Sequence, residues 1–411
     1  MAFDLVFRNA LLQGMEYAEA GPLDIGVREG RIAAIGAGLA GEGPSVDVGG
    51  RLAIAGFVET HLHLDKSCLL DRCSGEGSLQ DAIAEVAAMK RGFTEEDVYR
   101  RASRTLEKAI LQGTTRIRTH VEIDPRIGLR SFAAIKRLQR DYAWAVDIEI
   151  CVFPQEGLLN DPGAEELLIQ AMEAGANLIG GCPYTDSDPN GQIARIFALA
   201  RRFGCDIDFH LDFDLDPTLL RLDEVCRQTI AHDMGGRVAI GHVTKLSALS
   251  PADFAAAAKR LADAGVAVTV LPATDLFLMG RAVDYNKPRG VSPAHHLSSY
   301  GVGCSLATNN VLNPFTPFGD CSLIRIANLY ANIAHLGRAA DLALCLELVT
   351  SRAAALINAR DYGFKPGNPA DLVVLDSQAP NLAVAELAPA LYGYKAGRCS
   401  FTRPQAELHR P

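Results

Sequence analysis

Residues 56–67 read GFVETHLHLDKS. The apolar character of the segment from about 55 to 63 predicts a buried strand, and side chains alternate in direction along a strand, so His61 and His63 project from one face. Two imidazoles so placed form a chelating pair, although such a pair also occurs as hydrogen-bonded core residues. Asp65 and Lys66 follow where the strand ends.

Outward from this segment the chain alternates strand with helix. Strands are expected near 55–63, 115–123, 145–154, 177–184, 205–212, 236–243, 266–274 and 302–310. Amphipathic stretches such as Glu95 to Gln112, Ala164 to Ala174, Gln192 to Phe203 and Pro251 to Ala264 separate them. Eight apolar strands alternating with helices predict an α/β protein whose parallel sheet closes into a (β/α)₈ barrel of the TIM type. An open, doubly wound sheet is the competing arrangement, weakened by the lack of a GxGxxG turn after the first strand. Short strands are expected over residues 3–10, 23–28 and 31–36, and strand signals return at Asp371 to Leu375 and Leu391 to Lys395 after a helical region from about 320 to 358. The two ends of the chain are therefore expected to pair. That divides the chain into an N-terminal part of a small β-sandwich (1–55), the barrel (56–359) and a C-terminal part of the sandwich (360–411).

Composition bounds the partners. The 411 residues are 48% hydrophobic and 22% charged, which suits one large core with a smaller satellite. A net charge of -9 with no block of Lys or Arg gives no footprint for nucleic acid or an anionic membrane, so the expected partner is a small molecule. Met1 to Gly14 lacks the order of a signal peptide and no run reaches membrane-spanning length, so a cytoplasmic location is expected. Ten cysteines without CxxC spacing read as reduced packing residues.

The remaining histidines sharpen the reading. His120, His210 and His242 fall at the expected ends of strands two, five and six, and the C-terminal ends of barrel strands converge on one cleft. Zinc or iron favours imidazole nitrogen, and a catalytic site needs about three protein ligands with a position left open, which His61, His63 and His210 supply. His242 is then free to act on substrate or water, because imidazole titrates near neutrality. Where strand three ends, Gln155 in Phe153-Pro154-Gln155-Glu156-Gly157 offers a donor and an acceptor suited to an amide-like ring edge. His232, His295, His296, His335 and His409 lie in helices, loops or the tail and read as structural.

With these residues the chain resembles the amidohydrolase superfamily, in its cytosine deaminase branch and the related triazine-ring hydrolases. The likeness runs through GFVETHLHLDKS (56–67), RTHVEID (118–124), VFPQEG (152–157), DFHLD (208–212), GHVT (241–244), YNKPRG (285–290) and DYGFKPGNPADLVVLD (361–376). It implies a barrel with a flanking β-sandwich, one divalent metal ion (zinc or iron), and hydrolysis of an amino-substituted N-heterocycle with release of ammonia. It also implies metal ligation by His61, His63 and His210, catalytic assistance by His242, and reading of the ring edge by Gln155. Assembly into a homo-oligomer is a further expectation.

Two positions depart from the family pattern. Phe213 stands where a proton-carrying glutamate is normal, and Thr308-Asn309-Asn310 replaces the run that supplies a metal-binding aspartate and a second acid. Asn309 is expected to coordinate through its carbonyl oxygen. Asp212, Asp214, Glu122, Asp124 and Asp275 are candidate replacements for the missing acids, with Asp212 carried forward beside His242 as a catalytic candidate. Phe213, Asn310 and Phe315 join Gln155 as expected substrate contacts. Two alternatives stay open: an amide or imine hydrolase of different or metal-free mechanism, in which Lys66 becomes important, and a catalytically silent heterocycle-binding relative.

Overall fold

A computed structural model of the protein describes residues 3–17, 19–41, 43–74, 77–404 and 406–409. Eight strands form the barrel: β1 (Phe57–Leu62), β2 (Thr114–Glu122), β3 (Asp147–Phe153), β4 (Leu178–Gly181), β5 (Ile207–Leu211), β6 (Val238–His242), β7 (Val266–Val270) and β8 (Cys304–Leu306). Each pairs in parallel with the next. The circle closes between β8 and β1. His63 N donates to Asn309 O at 2.9 Å, Asn309 N donates to His61 O at 2.8 Å, and the Thr60 and Ser305 hydroxyls meet at 2.8 Å. The strands read as nearly continuous apolar runs because both faces are covered, by the barrel interior and by the helices outside.

Helices form where the sequence supplies both an apolar stripe and a cap. Glu95–Leu111 starts at Thr94, whose side chain accepts from Asp97 N, and buries Val98, Ala102, Leu106 and Ala109 against the barrel. Pro251–Ala264 starts at Ser250 with proline at its first position.

The terminal segments build the second structure. Leu5–Leu12 pairs antiparallel with Leu23–Arg28 through its first half and parallel with Leu52–Ile54 through Leu11 and Leu12. It is thus shared between two layers. Leu372–Leu375 joins antiparallel to Leu52–Ile54, followed by Ala390–Lys395 and Arg398–Thr402. Phe7, Ile25, Val27, Ala53, Leu372, Val374 and Phe364 fill the core of this unit. The chain crosses into the barrel at Gly56, where φ is +86° and a Cβ would lie 2.1 Å from Thr115 Oγ1, so only glycine fits. The barrel and the sheet of the two termini are as expected from sequence. Arg398–Thr402 was not anticipated, because RCSFT is only five residues long and carries just two apolar side chains.

The cysteines stay free, eight of the ten buried. Among the described residues no helix is long and apolar enough to cross a membrane.

Candidate metal-binding active site

His61 and His63 leave the end of β1 beside His210 at the end of β5. His61 Nε2 lies 3.0 Å and His63 Nε2 3.1 Å from His210 Nε2. Gly241 on β6 leaves room for this, since a Cβ there would come within 3.1 Å of the His61 ring. All three rings are buried, and burial, reinforced by the neighbouring histidines and, for His63 and His210, by Lys66, holds each well below the usual histidine range. They are neutral at physiological pH. A neutral imidazole carries one N–H, so the single proton available on His210 Nε2 serves at most one of its two neighbours. The Nδ1 atoms of all three rings and Asn309 Oδ1 are buried with no hydrogen-bond partner among the described residues. Converging lone pairs and an orphaned carbonyl oxygen suit a cation, so the donor set fits a divalent ion.

His120, which the sequence placed at this rim without a role, stacks on His61 at 3.7 Å between centroids. It faces Asp208 at 3.6 Å, and Arg118 Nη1 holds that carboxylate at 2.9 Å. Phe153 stacks on His210 at 4.4 Å and closes the cluster on the β3 side. No sequence signal marked Asp208 beyond its position two residues before His210.

His242 ends β6 with φ +70°, and Asn309 follows β8 with φ +65°, a left-handed conformation uncommon outside glycine but adopted more readily by Asn and His than by most residues. His242 Nδ1 donates to Asp275 Oδ1 at 2.7 Å. That bond sets the tautomer and leaves Nε2 with its lone pair, 3.5 Å from Asn309 Nδ2. Nitrogens of His61, His210 and His242 all fall within 4.8 Å of one another. Burial raises Asp275, a tendency the His242 contact opposes. Phe213 stacks on the His242 ring at 3.7 Å and 23°, so the side that would carry a glutamate in the family pattern is an aromatic wall.

Asp212, the catalytic candidate beside His242, has both carboxylate oxygens bound to backbone amides. Its Oδ1 accepts from Arg221 N and its Oδ2 from Leu222 N, both at 3.0 Å. With φ at +48° the backbone turns the carboxylate to the start of helix Leu222–Ala231, where it serves as a cap. Asp275 is the carboxylate that meets His242. Asp214, half-exposed, pairs with Lys245 at 3.2 Å.

On the β2 and β3 side lies a charged cluster. Lys66 Nζ donates to Glu122 Oε1 at 2.7 Å and to Gln155 Oε1 at 3.2 Å, and sits 4.3 Å from the Phe315 ring centre. Gln155 Nε2 donates to Cys182 Sγ at 3.3 Å. Asn310 Oδ1 accepts from Asn313 Nδ2 at 2.7 Å. Gln155, Phe315 and Lys66 are therefore brought together, and Phe213 stands across the cluster with His242. Glu122 and Asp124 are not free acids. Lys90 Nζ lies 2.8 Å from Glu122, 2.6 Å from Asp124 and 2.6 Å from Glu156. Burial alone would raise Glu122, but Lys66 and Lys90 outweigh it and hold the carboxyl at about 2. Lys90, at the end of helix Leu79–Met89, carries no mark in the sequence that foretells this burial.

Residues 147–401 match the profile of the amidohydrolase family. The chain belongs to this family. Its members hydrolyse carbon–nitrogen bonds other than peptide bonds and work with a divalent metal ion. This amidohydrolase is 28% identical over 407 residues to N-isopropylammelide isopropyl amidohydrolase of Pseudomonas sp. (strain ADP), covering 96% of each chain. It is 28% identical over 330 residues to a pterin deaminase of Rhizobium rhizogenes, covering 78% of this chain and 74% of that one. Its fold superposes on 5-methylcytosine deaminase of Klebsiella pneumoniae, liganded with phosphonocytosine, with a TM-score of 0.92 at 28% identity over 99% of this chain and 100% of that one.

Proposed function

We propose that the protein is a metal-dependent aminohydrolase that replaces the amino group of a cyclic nitrogen compound by oxygen and releases ammonia. The observation that carries this reading is the convergence of three buried neutral imidazoles beside the orphaned Asn309 Oδ1. His61, His63, His210 and Asn309 would hold one divalent ion, zinc or iron, which when bound supplies Lewis acidity toward water and the ring. His242, held by Asp275, accepts a proton from water at Nε2 and returns it to the departing amino group, so that one imidazole does the work of the missing glutamate. Phe213 covers one side of the ring and keeps bulk water from it. Lys66 and Gln155 read an oxygen or nitrogen on the ring edge, with Phe315 and Asn310 completing that wall. The relatives named as pterin, 5-methylcytosine and ammelide enzymes supply the class of substrate to which this chemistry applies.

A second reading, a relative that binds a heterocycle without turning it over, is favoured by one observation: neither Phe213 nor Asn309 can accept a proton at neutral pH. Assay of ammonia release from amino-pyrimidines, amino-triazines and pterins, with zinc or iron supplied, separates the two. Release from at least one, lowered by about 10²–10⁴ in His242→Ala, is the expected result. Tight binding with no product at any pH would move the assignment to the silent reading.

A further inference from the structure

Beside Asn310 opens a cavity of about 670 Å³, formed by the segments that follow β7 and β8. Thr308 and Asn310, the neighbours of Asn309 on either side, line its inner end. Ligand sites of about 300–1,000 Å³ hold drug-sized molecules, so this space is several times what one six-membered ring fills. Its walls combine two characters. Phe277 and Phe318 meet edge to face at 5.7 Å, with Met279 beside them. Arg281, Lys287 and Arg325 supply three cations, and no lining residue is acidic although the chain carries a net charge of -9. Arg325 is shared with Asp320 at 2.9 Å. Arg281 lies over the Phe277 ring at 4.4 Å and, among the described residues, donates only to the Phe277 carbonyl oxygen. Lys287 has no ion pair among the described residues. Two exposed cations with no carboxylate partner among the described residues, beside an aromatic wall, are complementary to an anion carried on an apolar stem.

We propose that this cavity receives an acid-terminated, apolar or aromatic arm of the substrate, so that the molecule acted on is a substituted N-heterocycle rather than a bare ring. The proposal rests on the aminohydrolase reading above and narrows its substrate class. The ring lies toward the histidines, the arm runs past Asn310 along the wall that Phe277 and Phe318 form together, and its carboxylate or phosphate ends at Arg281 and Lys287.

The test uses two probes that differ only in charge, 4-acetamidobenzoate and 4-acetamidobenzamide, titrated by calorimetry into the wild-type protein and into an Arg281→Ala, Lys287→Ala double variant. Ammonia release from pterin and from folic acid, the same ring bearing such an arm, is measured alongside. Two partly exposed ion contacts are expected to favour the acid over the amide by about tenfold in the wild type and to lose that preference in the variant. Equal affinity for both probes, or a preference that survives the double substitution, overturns the proposal whether or not ammonia appears. A charge preference lost in the variant, with no ammonia from either ring compound, upholds the cavity's role and counts instead against the aminohydrolase reading.

Discussion

Two buried polar clusters lie side by side at the mouth of the barrel and are satisfied in opposite ways. In the one built on Lys66, Lys90, Glu122, Asp124 and Glu156, each ammonium meets a carboxylate within 2.8 Å. In the other, His61, His63 and His210 point three Nε2 atoms at one another while their Nδ1 atoms and Asn309 Oδ1 find no partner. Buried charges are tolerated when they are paired, so the first cluster is complete within the chain. The second is complete only with something the chain does not itself supply. Proximity to the site therefore does not make a carboxylate a proton carrier: Glu122 and Asp124 stand at the rim, yet their charge is already committed to lysine.

The contrast can be broken at either side. The largest effect is expected from His242→Ala, which removes the imidazole that Asp275 orients for proton transfer. It should lower kcat/KM by about 10²–10⁴ with bound metal retained. A smaller loss would show that another group carries the proton. Glu122→Gln comes next and should act on stability, leaving Lys66 and Lys90 short of a buried counter-charge at a cost of about 3–5 kcal/mol in denaturant unfolding. Its pH dependence has a defined sign. Glu122 is depressed from 4.5 to about 2, so its stabilisation is complete above the ordinary value and is lost as pH falls toward the depressed one. The variant should flatten that acid limb, and unchanged acid unfolding would contradict the pairing.

Asn309→Asp sharpens the contrast from the other direction by placing a carboxylate among the imidazoles. Metal affinity should rise by roughly tenfold in a chelator competition, because a negative oxygen donor binds a divalent ion more tightly than an amide. The smallest effect is expected from Asp212→Asn. Loss of one of its two backbone bonds should cost about 1 kcal/mol of stability and change turnover by less than about threefold. A drop of two orders of magnitude would restore Asp212 to the chemistry.

The barrel was legible because buried parallel strands and their covering helices write two distinct periodicities into the chain, and the histidines were legible because each ends a strand. What stayed hidden depends on distance in sequence. Asp275 stood among several candidate acids, and only folding brings it 33 residues along the chain onto His242. Lys90 looks like any helix-terminal lysine until helix and barrel pack together. Asp212 lies two residues after His210, where strand alternation would aim it with the histidine, but the strand stops at Leu211 and the left-handed turn sends the carboxylate to a helix start. Arg398–Thr402 alternates polar and apolar over too short a run to stand out, and its pairing with Ala390–Lys395 makes it a strand.

Metal content is the direct readout of whether the histidine cluster holds an ion. Protein purified without chelator or added metal should contain about one zinc or iron per chain, and a folded His61→Ala, His63→Ala variant should contain none. No metal in the wild type, with binding appearing only in Asn309→Asp, would contradict the account and mean that the loss of the carboxylate has closed this site to metal chemistry.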